Sequence, residues 1–238
     1  VRMSYLDLLM AQEEELTEAA GGGGGIWVVA DVVDGALAPV TLEALGAARS
    51  LADSLGAYVY GVLLGDGVTD LAQTLYQAGA DGVRVADHPT LATFSVAPTL
   101  SVLAGLFEEE QPEVVLFGAA EAGQALAPRL AQRMGGGLIE HAVATSLDEA
   151  SRTVEAAYPI YGGEYFEIGA CPEARPQFLT VEPGAFPEPF IDSYRKGEPT
   201  LIDVTPAESD VRAVGPAEDF EPPPVPLSQA PVIVAAGR

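Results

Sequence analysis

The 238-residue chain has one cysteine, Cys171, and only 11 Lys and Arg against 35 Asp and Glu. A single cysteine excludes an intramolecular disulfide, a thiolate zinc site and a Cys-x-x-Cys redox pair, and a reducing, cytoplasmic setting is expected. The shortage of cations leaves a net charge of −24. Nucleic acid is therefore not an expected partner, because a phosphate backbone is bound by clustered Lys and Arg that displace its counterions. An anionic membrane surface is disfavoured for the same reason. Long apolar runs are also missing. The one uncharged stretch near spanning length, residues 89–107, is broken by Thr90, Thr93, Ser95, Pro98, Thr99 and Ser101, so a loop and a soluble helix are expected, with no membrane insertion. Glu13, Glu14, Glu15 and Glu18 stand where the apolar core of a signal peptide would lie, and export is not expected.

What is present is ample core material. Hydrophobic residues make up 48% of the chain and charged residues 19%, which opposes global disorder, and the low aromatic share with much Ala, Val and Leu suits an α/β interior. Short β-branched runs at 26–30, 59–64, 83–85 and 114–117 show little alternation, as strands buried on both faces do. Between them, Leu42, Leu45, Ala48, Ala52 and Leu55 recur at helical steps, with Thr41 as N-cap and Gly56 as stop. Helices are likewise predicted around Leu71–Ala78, Leu100–Leu106 and Leu126–Met134, the last containing Pro128 as a kink or first-turn residue. Strand, crossover and strand in series predict a Rossmann-like parallel sheet with helices on both faces. After residue 140, short runs at 145–147, 153–157, 165–168, 178–181, 202–204 and 211–214 predict an antiparallel β extension on the same domain.

Four segments follow. Residues 1–25 form a flexible N-terminal extension closed by the glycine run Gly21–Gly25, 26–214 the main domain, 215–231 a Pro-rich hinge linker, and 232–238 a buried strand entering the turn Gly237-Arg238. That last segment is expected to be the first strand of a second α/β unit whose remainder is missing.

Few constellations carry chemistry. Gly118-Ala-Ala-Glu-Ala-Gly123 follows a strand and precedes a helix, where phosphates are cradled, yet Glu121 would repel an anion and no Lys or Ser/Thr completes a P-loop. A nucleotide site and a plain tight turn both remain open there. His88 and His141 are most simply surface residues, and no metal site or catalytic residue is predicted. Glu108, Glu109 and Glu110 read as a solvated helix end. Arg175 in Cys171-Pro-Glu-Ala-Arg-Pro-Gln177 fits either an interface contact or a structured turn, and Tyr161-Gly-Gly163 a bulge or close backbone approach.

Taken in order, Trp27-Val-Val-Ala30, Leu42-Glu-Ala-Leu45, Val114-Val-Leu-Phe-Gly118, Leu126-Ala-Pro-Arg-Leu130, Tyr161-Gly-Gly163, Arg175-Pro-Gln177 and Pro183-Gly184 resemble the alpha subunit of the electron transfer flavoproteins. The resemblance extends from about Ile26 to Arg238, where Val232-Ile-Val-Ala-Ala-Gly-Arg238 resembles the opening of the FAD-binding domain. It implies an electron carrier and not a substrate-converting enzyme. It also implies a heterodimer with a beta subunit that holds AMP or a second FAD, and a swivelling C-terminal domain that carries FAD. That FAD would pass electrons from a flavin dehydrogenase to a quinone oxidoreductase. Cofactor contacts carried over by the resemblance are Gly237 and Arg238, the guanidinium lying near flavin N1 or the pyrophosphate. Departures from the family pattern are the extension 1–25, Glu182 at a usually basic position, and Gly137-Leu-Ile-Glu-His141 in place of small and polar residues. Two other functions are left open, a nucleotide-binding sensor domain using Gly118–Gly123 and a flavin-free interaction scaffold.

Overall fold

A computed structural model of the protein describes residues 24–209, 211, 230, 232–235 and 237. Its frame is a seven-stranded sheet in which every neighbouring pair is parallel. Central strand β1 (Ile26–Val29) is wholly buried and alternates between two cores. Ile26 and Val28 pack on one face with Leu45, Leu51 and Leu75, while Trp27 and Val29 pack on the other with Leu103, Phe107, Leu126 and Leu130. This double burial explains why the run shows no polar alternation. Trp27 stacks on Tyr60 at 4.9 Å and meets Phe107 edge-on at 5.9 Å. Burying each such side chain contributes roughly 1.5–3 kcal/mol.

A short hairpin, β2 (Val32–Val33) and β3 (Ala36–Leu37), leads from β1 to α1 (Pro39–Leu55). The chain then runs through β4 (Val59–Gly65), α2 (Ala72–Gln77), β5 (Gly82–Asp87), α3 (Val96–Glu110), β6 (Val114–Gly118), α4 (Glu121–Met134) and β7 (Gly137–Ala142). Gly56 ends α1 in the left-handed region, as expected. Thr41 is not the cap: α1 starts earlier on Pro39, and the Thr41 hydroxyl instead accepts a 2.9 Å bond from the Asp31 N–H. Pro128 lies inside α4 without ending it.

After β7 the chain leaves the sheet as a three-stranded antiparallel sheet, β8 (Ala144–Asp148), β9 (Thr153–Ile160) and β10 (Tyr165–Ala170), with β9 in the middle. The antiparallel extension is thus present but smaller than predicted. The run 178–181 belongs to β11 (Gln177–Val181), which inserts parallel between β6 and β7. Near the predicted run 202–204, the strand is β12 (Thr200–Leu201), parallel to β5 at the far edge. Parallel partners are chosen by the path of the chain over the sheet, which a local pattern does not carry. Residues 212–214 and most of 215–231 lie outside the described residues.

Gly24 and Gly25, the last of the glycine run, are fixed in place. The Gly24 N–H donates to the Gln111 carbonyl at 3.0 Å, the Trp27 indole donates to the Gly24 carbonyl, and Gly25 has φ 71°. The rest of segment 1–25 lies outside the described residues.

Candidate functional site

The carboxyl ends of β1, β4 and β6 meet where the chain changes direction across the sheet. From β1 it builds outward through β4 and β5, then returns to the opposite flank of β1 as β6. Such a switch point opens a crevice between the loops, because they diverge to opposite faces of the sheet. Here the crevice encloses a cavity of about 420 Å³. Its apolar wall includes Val29, Leu64, Leu91, Phe117 and Leu126, and Asp31, Asp34 and Asp66 supply its charge.

Asp31 is the unusual member. It follows the buried β1 run, and Oδ2 is buried with no hydrogen-bond partner among the described residues. Loss of hydration disfavours the ionised form and pushes its pKa up to about 6. A Cβ placed on Gly118 would stand 2.8 Å from that oxygen and against Val40, so glycine leaves just enough room for the carboxyl group. Gly123 has a different function: a Cβ there would overlap the Gly118 carbonyl oxygen. The Gly118–Gly123 turn is therefore a close-packing device between β6 and α4. With Glu121 in the first turn of α4 and no Lys, Arg or His lining the crevice, a phosphate finds no positive partner, and the arrangement does not fit a nucleotide.

The remaining motifs prove to be joints. Arg175 donates to the carbonyls of Ala174 at 2.8 Å, Arg152 at 3.0 Å, Ser151 at 3.1 Å and Pro172 at 3.3 Å, which makes it the clasp of a structured turn. Arg152 forks onto buried Glu113 at 2.8 and 2.6 Å. Gln177 accepts from the Val154 N–H at 2.8 Å and donates to the Arg152 carbonyl at 3.1 Å, tying β11 to β9. Two distant motifs meet where the Gly184 N–H donates to Glu43 at 2.7 Å. Tyr161, Gly162 and Gly163 all have positive φ, with open space around both glycines, so they serve the β9–β10 turn and not a close approach.

Two acidic sites differ from their predicted simplicity. Glu110 pairs with Arg84 at 2.8 Å, and that guanidinium lies over Trp27 and Tyr60; Glu108 pairs with Arg133 at 3.3 Å. The departures Glu182 and His141 meet each other, 2.7 Å apart, at the ends of β11 and β7. His88 caps a short turn by accepting from the Thr90 N–H at 3.1 Å.

At the other end of the chain, residues 232–235 form no strand, and Val232, Ile233 and Val234 are exposed. This differs from the expected buried strand, since a parallel strand takes its hydrogen bonds from neighbours that the described residues do not supply here. Gly237 has open space around it, and Arg238 lies outside the described residues. The described residues do not by themselves form a cradle that fits FAD. No group of His, Cys, Asp and Glu among them is placed to hold a metal ion, and no described helix is long and apolar enough to cross a membrane.

A family model described as "Electron transfer flavoprotein domain" matches residues 26–207. The electron transfer flavoprotein subunit alpha of Thermoanaerobacterium thermosaccharolyticum is 36% identical over 215 residues, 90% of this chain and 64% of that protein. Its counterpart from Clostridium acetobutylicum is 35% identical over 223 residues, 90% of this chain and 65% of that protein. Subunit LctC of the lactate dehydrogenase (NAD(+),ferredoxin) of Acetobacterium woodii is 33% identical over 232 residues, 97% and 55% of the two chains. The chain thus spans roughly 55–65% of the length of these relatives. The matched span covers the sheet from β1 to β12, and the chain belongs to the electron transfer flavoprotein family.

Proposed function

We propose that this chain is the framework portion of an electron transfer flavoprotein alpha subunit, which pairs with a beta subunit and supports a flavin-bearing domain. FAD bound to that domain would supply the electron-carrying chemistry between a dehydrogenase and a quinone-linked acceptor. The chain's own residues supply a rigid base and a surface for the partner. Gly237 and Arg238 are the residues proposed to reach FAD, and AMP or a second FAD is assigned to the beta subunit. The acidic crevice, which does not fit a phosphate, agrees with that division.

The observation that carries pairing is the outer edge of the antiparallel sheet. Among the described residues β10 bonds to β9 on one side only, so within them its other edge presents unpaired N–H and C=O groups, and chains normally blunt such an edge with charge or proline. Here one acid, Glu167, stands among exposed apolar side chains: Tyr165, Phe166 and Ile168 are 62%, 63% and 70% exposed, beside Tyr161 at 79%. A cluster of this kind marks a protein contact.

The test is to co-produce the full-length protein with its paired subunit, native or carrying Phe166→Lys with Ile168→Glu. The native pair is expected to copurify as a yellow 1:1 complex that passes electrons from a reduced dehydrogenase to a quinone-linked acceptor. The double variant should lose at least tenfold in affinity while its thermal midpoint as a free chain is unchanged. A native chain that stays alone, or a double variant that pairs normally, would sink the assignment.

A further inference from the structure

The chain leaves the sheet at β12, yet it stays attached to the framework well beyond that strand. We propose that residues 200–209 form a fixed tether seated on β5 and α3, so that the flavin-bearing unit of the proposed alpha subunit swings from Ser209 and not from β12. This inference rests on the electron-carrier reading and adds to it the point of attachment.

Four observations converge. First, burial alternates along the tether: Ile202, Val204 and Pro206 are half-buried, while Leu201, Asp203, Thr205 and Ala207 are exposed. A period of two marks an extended segment lying on a surface. Second, the inward residues have apolar seats. Ile202 packs against the core that holds Leu103, and Val204 against Ala86, Leu91 and Val102, so the segment crosses from β5 onto α3. Third, hydrogen bonds pin it along its length. The Ile202 N–H donates to the Val85 carbonyl at 2.8 Å, the Ala207 N–H donates to the Ser101 hydroxyl at 2.9 Å, and the Ser95 and Ser209 hydroxyls lie 2.8 Å apart. The Ser101 hydroxyl proton goes to the Pro98 carbonyl at 2.7 Å, which leaves its oxygen free to accept from the tether. Ser95 stands at the N-cap of α3 but makes no side-chain cap bond there. The hydroxyl that ordinarily caps a helix is turned to Ser209 instead. Fourth, the tether climbs α3 from Ser101 towards its start at Ser95. Ala92 and Phe94, in the loop before α3, line both the crevice above β1, β4 and β6 and the hollow that receives Ser209 and Val211. The last fixed point among residues 200–209 thus stands at the rim formed by the carboxyl ends of the strands. Unseating residues 202–209 would add up to about 25 Å of reach, and longer reach dilutes each encounter between tethered partners.

The test places two spin labels on the full-length protein carrying Cys171→Ser, one at Glu109→Cys near the end of α3 and one at Glu208→Cys on the tether, both at exposed positions. Their separation is read by pulsed electron resonance. The helix from Ser95 to Glu109 is about 21 Å long, so a seated tether should give one narrow distance of about 20–25 Å. Ser95→Ala with Ser101→Ala and Val204→Asn should at least double the width of that distribution. The same triple variant should speed hydrogen exchange at the Ala207 amide at least tenfold, while the Val28 and Val62 amides stay protected and show the fold intact. A broad distribution with the tether unaltered, an Ala207 amide that exchanges freely there, or a distance indifferent to the triple variant would each overturn the tether. In the yellow complex with the paired subunit, the triple variant should keep its flavin and pass electrons at least twofold more slowly. An equal rate would overturn the swing from Ser209. The label and exchange measurements read neither flavin nor the paired subunit, so failure of the electron-carrier assignment is distinguished from failure of the tether.

Discussion

Burial raises the Asp31 carboxyl to a pKa of about 6 from an ordinary 3.8, and the sign of its effect on stability follows. The folded state holds this proton more tightly than the unfolded chain does. The stabilisation is therefore complete below the unfolded value and is lost as pH climbs through the folded one. Between pH 4 and about 6.5 this group should remove on the order of 2–3 kcal/mol of stability. Asp31→Asn removes the titration, and the amide loses little in shape. In urea unfolding it should gain about 1–2 kcal/mol over the native chain at pH 8 and nothing at pH 4. A gain of equal size at both values would locate the effect in packing and not in ionisation. Asp31 was not legible in the sequence. An acid after an apolar run reads as an ordinary turn residue, and the burial of its Oδ2 beside Gly118 of β6 is a long-range contact that the local pattern does not carry.

At the scale of elements, the contact between β6 and α4 has no slack. A Cβ on Gly123 would overlap the Gly118 carbonyl oxygen, and both partners are backbone, so neither can rotate away. Gly123→Ala should therefore destabilise despite the better helix propensity of alanine, by about 2–4 kcal/mol. For a domain of this size that lowers the thermal midpoint by roughly 5–15 °C. An unchanged midpoint would mean that α4 can slide along the sheet. The sequence told much about the elements and less about their partners. The runs of β1, β4, β5 and β6 were readable because burial on both faces leaves only apolar residues, and Gly56 marked its helix end. β11 was readable as a strand, yet not as a parallel one, because the excursion through β8–β10 that returns it between β6 and β7 is long-range. The sequence around His141 reads as a strand start and not as the body of β7 (Gly137–Ala142), because its edge position admits Glu140 and His141, and β12 is only two residues long. The motifs carrying the family resemblance proved largely to be crossing points, such as Glu43 with Gly184 and Gln177 with Val154. Such joints identify a frame more readily than a chemistry.

For the whole molecule, charge is the dominant uncompensated quantity. With 35 acids and 11 Lys and Arg, at least 35 − 11 = 24 carboxylates have no basic side chain of their own. Arg49, Arg84, Arg133, Arg152 and Arg195 are already engaged in ion pairs. Most of these pairs are half-exposed and each contributes less than about 1 kcal/mol, so screening them loses little. Screening the self-repulsion of the acids gains more, because it acts on many like charges within a Debye length. Raising NaCl from 20 to 300 mM should therefore lift the thermal midpoint by about 2–6 °C, the equivalent of 1–2 kcal/mol. A flat or falling midpoint would show that the arginine pairs govern instead. The same salt series separates two accounts of pairing. If the apolar edge of β10 is the contact, dissociation from the paired subunit should change less than about twofold across it, since apolar burial is not screened. A dissociation rate that rises tenfold or more with salt would place the energy of the contact in ion pairs, and β10 would no longer be its centre.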